Sequence, residues 1–283
     1  MPVSLPPALE LSLDLLCCPT CRMRHLLPAR GALRCPVGHT FDIARHGYAG
    51  LLTGTRATSG DDTAMAQARS RFLSTGTYAP IRKIGARLAI DTAPEQATVV
   101  DVGCGTGYYL AGVLDRLPGA RGLGLDTSVR ALRSAARAHD RGAAVAWDVF
   151  RPFPLADGVA DVVLDVFAPR NPAEFHRVLR PTGRLIVVRP TGRHLAELRG
   201  RLPAMVTIDP AKEQRLHRAL DPFFEAAVTE EVEYSATLSR QDALDLVAMT
   251  PSARHVSRAD LTDDGFLPDQ VTVSVLATAY QPR

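Results

Sequence analysis

The chain has 283 residues, 46% of them hydrophobic, which suits a folded protein of one large domain or one domain with a small appendage. No apolar run approaches the roughly 20 residues that cross a bilayer, and the N-terminus lacks a signal peptide's charged start and apolar core, so a cytoplasmic protein without membrane contact is expected. Formal charge is only +3, but the basic residues are nearly all arginine (the lysines are Lys83 and Lys212), a balance that permits a phosphate-rich partner without requiring one.

The N-terminal stretch is the most unusual. Between residues 18 and 58 stand Arg22, Arg24, Arg30, Arg34, Arg45 and Arg56 against the single acid Asp42. The same stretch carries Cys18 and Cys21, then Cys35 and His39, spaced as C-x2-C and C-x3-H, with Pro19 and Pro36 stiffening the turn after each first ligand. Two half-sites of this kind suit tetrahedral zinc, and four protein ligands would close the coordination sphere, making the metal structural. Cys17 could replace Cys18, and His25 competes for the fourth position at the cost of the second half-site. In a chain without export signals, reduced thiols are favoured over a disulfide. Residues 1–58 are therefore read as a basic zinc-binding lobe and 59–283 as a second domain.

That second domain opens with two helical patterns, at 62–74 (Met65, Ala68, Phe72, Leu73) and 79–90 (Ile81, Ile84, Leu88, Ile90). Strands are then predicted at 97–102, 121–125, 143–147, 160–167, 184–188, 228–236 and 271–279, alternating with helices near 107–116, 128–138, 172–179, 194–200, 210–220 and 240–248. Such alternation implies a parallel, doubly wound α/β sheet. A helix and the polar loop Thr262-Asp263-Asp264-Gly265 separate the last two strands, which suits an antiparallel final strand.

The first strand runs into Asp101-Val102-Gly103-Cys104-Gly105-Thr106-Gly107 and then a helix. Glycines permit a tight turn and bring backbone N–H groups close to a ligand, while an acid at the end of the next strand, here Asp126, can hold ribose hydroxyls. The pattern is D-x-G-x-G-x-G, not the dinucleotide G-x-G-x-x-G, and it lacks a Walker lysine. It resembles motif I of the class I S-adenosylmethionine methyltransferases.

Taken in order, C-P-x-C, C-P-x-G-H-T-F-D, G-D-x-T-A-M-x-x-A-R, F-L-x-x-G-x-Y-x-P, D-V-G-C-G-T-G-Y-Y, F-A-P-R-N-P and R-H-L-x-E-L resemble the 23S rRNA (guanine-N1)-methyltransferases, the RlmA family, over about residues 15 to 250. The resemblance is strongest to macrolide-resistance (tylosin-type) members. It implies methylation of guanine N1 in a domain II stem-loop of 23S rRNA, with S-adenosylmethionine as donor, a structural zinc, a seven-stranded Rossmann-like sheet, and 23S rRNA as partner; a homodimer is left open. It also carries Cys18, Cys21, Cys35 and His39 over as zinc ligands, and Tyr78, Gly105, Thr106 and His194 as cofactor contacts, beside Asp101 and Gly103 of the turn. The chain departs from the family at Thr77, where a histidine is usual, and at Ala49-Gly50, where Val-Asn is usual. These departures keep open a small-molecule methyltransferase of a biosynthetic pathway.

Methyl transfer from a sulfonium depends mainly on positioning. The acceptor usually sits at the end of the fourth strand, which nominates Asp165 to accept the N1 proton, Phe167 to stack the base and Arg170 to face O6 or a phosphate. A charged residue merely turned away at a strand end, and a core aromatic, are the structural alternatives for the first two. By position Asp148 would take the adenine amino group, flanked by Trp147 or Val149. RNA affinity is expected from the arginines of the zinc lobe and from Arg189, Arg193, Arg199 and Arg201.

Overall fold

A computed structural model describes residues 5–54, 60–202, 205, 215, 218–250, 253 and 267–283. The main sheet has eight strands: β4 (Ala49–Gly50), β5 (Thr98–Val102), β6 (Arg121–Asp126), β7 (Gly142–Ala146), β8 (Ala160–Val166), β9 (Leu179–Pro190), β10 (Phe224–Thr237) and β11 (Gln270–Pro282). Their order is β10-β11-β9-β8-β5-β6-β7-β4. Strands β4 to β9 run parallel, whereas β11 is antiparallel to both its neighbours, β9 and β10. This is the doubly wound, Rossmann-like sheet expected, with its antiparallel strand, enlarged by one short edge strand from the N-terminal segment.

Predicted limits agree to within a few residues for most elements. Helices α2 (Thr63–Ser74), α3 (Ala79–Ile90), α4 (Tyr108–Leu114), α5 (Val129–Ala135), α6 (Pro172–Val178), α7 (Ala196–Arg201) and α8 (Arg240–Ala248) all fall on the predicted stretches. Asp62 caps α2 by accepting the Met65 N–H at 2.9 Å, and Ser239 with Asp242 forms a capping box on α8. Strand β9 starts five residues earlier than expected because Leu179 already pairs with Ala160. The predicted helix at 210–220 lies largely outside the described residues, and the loop at 262–265 entirely so.

The N-terminal segment, read from sequence as a basic zinc-binding lobe, has secondary structure of its own. It consists of a short helix α1 (Pro7–Glu10) and a three-stranded antiparallel sheet, β1 (Leu27–Ala29), β2 (Ala32–Arg34) and β3 (Thr40–Asp42). Strands this short bury few side chains and leave no alternation to read. Leu33 and Phe41 pair across β2 and β3 and are both buried.

Period-two alternation divides the core cleanly. Val100, Val102, Val163, Leu185 and Val187 face one side of the sheet, and Val99, Val162, Leu164, Ile186 and Val188 the other, against α2 and α3. The first side is covered by α6 and by the N-terminal lobe: Leu9, Leu15, Leu16, Leu33 and Phe41 share one buried cluster with Trp147, Phe153, Leu155 and Phe175. Backbone bonds stitch the same joint, from Cys17 N–H to the Pro154 carbonyl (2.9 Å) and from Ala156 N–H to the Leu15 carbonyl (2.9 Å). Among the described residues, no helix is long and apolar enough to cross a membrane.

A shared core makes the lobe and the sheet one cooperative unit. Phe41→Ala, a truncation inside the lobe, should cost about 3–5 kcal/mol and lower Tm in a single calorimetric transition of the whole chain. A separate low-temperature transition, with the main one unmoved, would contradict the shared core.

Candidate active site and metal centre

Four acids stand at or just beyond the carboxyl ends of adjacent parallel strands: Asp165 on β8, Asp101 on β5, Asp126 on β6, and Asp148 after β7. The chain leaves β5 to one side for β6 and returns on the other as β8. Such a switch point opens the crevice in which doubly wound sheets bind ligands.

The glycine turn is built for close approach. Gly103 has φ +73°, and a Cβ there would lie 2.6 Å from the Ala168 Cβ, so the turn packs directly against the loop after β8. Gly105, at φ +53°, donates its N–H to the Asp126 carboxylate at 2.8 Å, and the other Asp126 oxygen accepts the Ser128 N–H at 2.7 Å. One carboxylate thus ties the turn to the start of α5, and each oxygen keeps capacity for a further donor. Ser128 Oγ donates to the Asp61 carbonyl at 2.6 Å, and the Asp61 carboxylate holds Arg69 of α2 in a two-bond ion pair at 2.6 and 3.1 Å. Arg69 also donates to the Met249 carbonyl at 2.7 Å and lies over the turn, its Cδ 3.5 Å from where a Gly105 Cβ would stand. Asp61 and Arg69 both lie in the quoted string G-D-x-T-A-M-x-x-A-R, yet neither drew a role from sequence. Their partners are remote in the chain.

Asp101 is fully buried, and its Oδ2 has no hydrogen-bond partner. Burial, reinforced by the nearby charges of Asp126 and Asp165, pushes its carboxyl up to about 8 against one backbone bond from Leu110. Burial also raises Asp126, opposed by the Ser128 and Gly105 N–H groups. A cation in the crevice would relieve the repulsion among these buried carboxyl groups. Thr106, also buried, completes the turn.

On the other side of the crevice an aromatic group gathers Tyr78, Phe167, Tyr109 and His194. Phe167 stands 6.1 Å from Tyr78, 6.5 Å from Tyr109 and 5.8 Å from His194, centroid to centroid. Its backbone is left-handed at φ +57°, a conformation costly for a bulky side chain and one that clusters at binding sites. Phe167 is 37% exposed, while Tyr78 is buried. The Ser274 N–H donates to His194 Nδ1 at 3.2 Å, which fixes the imidazole proton on Nε2. Nε2 therefore donates to Tyr78 Oη, also at 3.2 Å, and the phenol keeps its own proton to offer elsewhere. Burial holds His194 neutral, down at about 4, helped by the Arg199 charge.

Other nominated groups are arranged differently from expectation. Asp165 is fully buried with Arg170 Nε 3.7 Å from its Oδ1, so Arg170 faces the acid in place of solvent phosphate. Asp148 caps its own turn through the Phe150 N–H at 3.0 Å and lies 3.8 Å from Arg151. Beside it the buried Trp147 Nε1 has no partner. Arg199 is turned inward to the carbonyls of His194 and Gly192, Arg193 pairs with Glu233 at 2.8 Å, and Arg22 is spent on the Phe153 carbonyl at 2.7 Å. Arg22 and Arg199 thus donate to the protein's own backbone, while the Arg193 side chain is 72% exposed beside Glu233.

In the lobe, the donor atoms of Cys18, Cys21, Cys35 and His39 all lie within 4.8 Å of one another. Cys21 and Cys35 sulfurs are 3.9 Å apart, and His39 Nδ1 is 3.6 Å from Cys18 and 3.3 Å from Cys35. Ligands around a tetrahedral zinc with Zn–S bonds of about 2.3 Å sit about 3.8 Å apart, so the set fits that ion. Each half-site is a backbone knuckle: Arg22 N–H to the Cys18 carbonyl, and Gly38 N–H to the Cys35 carbonyl. Cys17 instead enters the core, and His25 stands outside the cluster.

Two family descriptions match the chain: "RlmA, N-terminal", a zinc ribbon, over residues 16–56, and "Methyltransferase domain" over 99–183. A 23S rRNA (guanine(748)-N(1))-methyltransferase of Streptomyces fradiae is 42% identical over 270 residues, covering 94% of this chain and 96% of its own. A candidate 23S rRNA (guanine-N(1)-)-methyltransferase of Micromonospora griseorubida is 43% identical over 286 residues with the same coverage. Among solved structures, the candidate methyltransferase complexed with the Haloferax volcanii Trm112 activator superposes with a TM-score of 0.50 at 22% identity, covering 80% of this chain and all of that one, a likeness of fold.

The raised Asp101 carboxyl yields a test. A bound cation lowers that pKa, so at pH 7 S-adenosylmethionine binding should release protons, and affinity should rise with pH up to about 8. Calorimetric titrations in buffers of different ionisation enthalpy measure the release, which Asp101→Asn should abolish. Buffer-independent heats in the unaltered protein would sink this reading.

Proposed function

The chain belongs to the 23S rRNA (guanine-N1)-methyltransferase family, and we propose that it methylates N1 of a guanine in a domain II stem-loop of 23S rRNA, conferring resistance to a macrolide. It is a methyltransferase using S-adenosylmethionine and carrying a structural zinc. In this reading residues 1–58 form the zinc-binding RNA-recognition lobe and 59–283 the catalytic domain, working in the cytoplasm on rRNA.

The zinc is held by Cys18, Cys21, Cys35 and His39 and has no open position for chemistry. The donor, when bound, supplies an electrophilic methyl group. Asp101, Gly103, Gly105 and Thr106 line its path at the turn, Asp126 takes the ribose hydroxyls on its remaining lone pairs, and Asp148 the adenine amino group. Tyr78, oriented by His194, offers its phenolic proton to the carboxylate of the methionine end.

The observation that carries the acceptor half is Phe167: a strained, part-exposed aromatic at the end of β8, beside the glycine turn, and two residues from a buried acid paired with arginine. A flipped or single-stranded guanine stacks on such a ring. N1 must shed its proton as it gains the methyl. Asp165 is the acid within reach of that position along the strand, and Arg170 moderates its charge and stabilises negative charge building on O6.

The decisive experiment incubates the protein with labelled donor and unmethylated 23S rRNA and maps the modified base. Methylation at guanine N1 in domain II is expected; no incorporation while the donor binds would overturn the proposal. Base stacking on an aromatic is worth about 1–3 kcal/mol. Phe167→Ala should therefore lower kcat/KM for rRNA roughly 5- to 150-fold, with donor affinity held in a parallel binding titration. Equal turnover by the variant would remove Phe167 from the acceptor site.

A further inference from the structure

A groove of about 360 Å³ opens between α2 and α5, on the surface beside the cofactor crevice. Its walls carry Arg71, Arg130, Arg133 and Arg137 with the hydroxyls of Ser70 and Ser134, and none of its lining residues is acidic. Arg71 is bonded to Asp245 through both guanidinium arms, at 2.9 and 2.6 Å. The other three arginines have no ion-pair partner among the described residues. Arg133 places a buried Nε in the wall with nothing to receive its proton. An unmet buried donor costs about 1–3 kcal/mol, a debt that an anion in the groove would settle.

Arg130, Arg133 and Arg137 follow one stripe of α5 and the turn after it, at spacings of three and four. Seven residues at 1.5 Å per residue extend about 10 Å, too long for one small anion and suited to consecutive phosphates. Guanidinium groups, with flanking hydroxyl donors, recognise phosphate oxygens in pairs. The stripe continues onto the lobe: a Gly47 Cβ would lie 3.7 Å from the Ala136 Cβ. Burial, with the charges of Arg133, Arg45 and Arg137 in turn, lowers the neighbouring His46. Arg45 of the lobe and the α5 arginines thus share one positive field.

We propose that the α2/α5 groove is a phosphate-binding track for the rRNA backbone, through which the nucleic acid passes between the zinc lobe and the crevice. This inference rests on the rRNA reading above and names a surface for it; among the arginines that sequence favoured, Arg22 and Arg199 donate to backbone carbonyls.

The test uses the full chain with Arg130→Gln/Arg137→Gln, both exposed positions, and separately Arg133→Gln. Binding to a 23S rRNA domain II fragment is measured by anisotropy over a salt series. Losing two phosphate contacts should reduce the slope of log K against log salt by about 1.4–1.8. At low salt the affinity should fall about fivefold or more. Tm and S-adenosylmethionine affinity serve as controls and should stay unchanged. Unaltered rRNA affinity and slope in both variants would overturn the track while leaving the rRNA reading standing. Absence of rRNA binding by the unaltered chain would overturn both. Millimolar inorganic phosphate saturating the groove, protecting Tm, without competing with rRNA would mark a small-anion site and also overturn the track.

Discussion

The crevice depends on a single carboxylate. Asp126 receives the Gly105 and Ser128 N–H groups on its two oxygens, so the glycine turn after β5 and the entry to α5 after β6 are held by one rigid fork. Charge-assisted bonds of this kind are among the strongest in a protein interior. They also come at the cost of burying an acid, which the charge of Arg69 on α2 partly offsets, while Asp61 holds Arg69 over the same turn. Remove the fork and three things lose their reference at once: the turn geometry, the seat of α5, and the hold that α2 has on the crevice.

Polarity across the crevice follows from the same construction. One side is a row of buried acids, the other an aromatic group whose hydrogen-bond direction is set by Ser274 through His194 to Tyr78. A donor molecule that is cationic at sulfur and amine but anionic at its carboxylate meets acids on one side and a phenolic proton on the other. On the proposed site, the orientation of such a molecule would be set before any acceptor arrives.

How much of this was legible in the chain depends on range. Helices α2, α3 and α8 announce themselves through caps and spacing, and the inner strands through their apolar runs, because both signals are local. The glycine turn and the Cys/His spacings are local as well, and Cys18, Cys21, Cys35 and His39 do converge. What stayed hidden is long-range. Strand β4 is two residues, paired to β7 almost a hundred positions away. Asp61 and Arg69 sit in a motif, but their meaning lies in Ser128 and Met249. Composition counted Arg22 and Arg199 as free surface charge, whereas in the fold their guanidinium groups donate to backbone carbonyls. The C-P-x-C spacing favours Cys18 over Cys17, and the fold agrees: Cys18 joins the cluster while Cys17 bridges to Arg24.

The joint between lobe and sheet has a last consequence. Leu15, Leu16 and Phe41 lie in the same buried cluster as Phe153 and Leu155, so among the described residues the part proposed to grip a nucleic acid and the part proposed to modify it are packed on one core. Such a protein works as a caliper with fixed jaws. On the proposed reading, the nucleotide it reaches would be the one lying a set distance from the gripped helix, and changing that choice would require recutting the core that spaces the jaws.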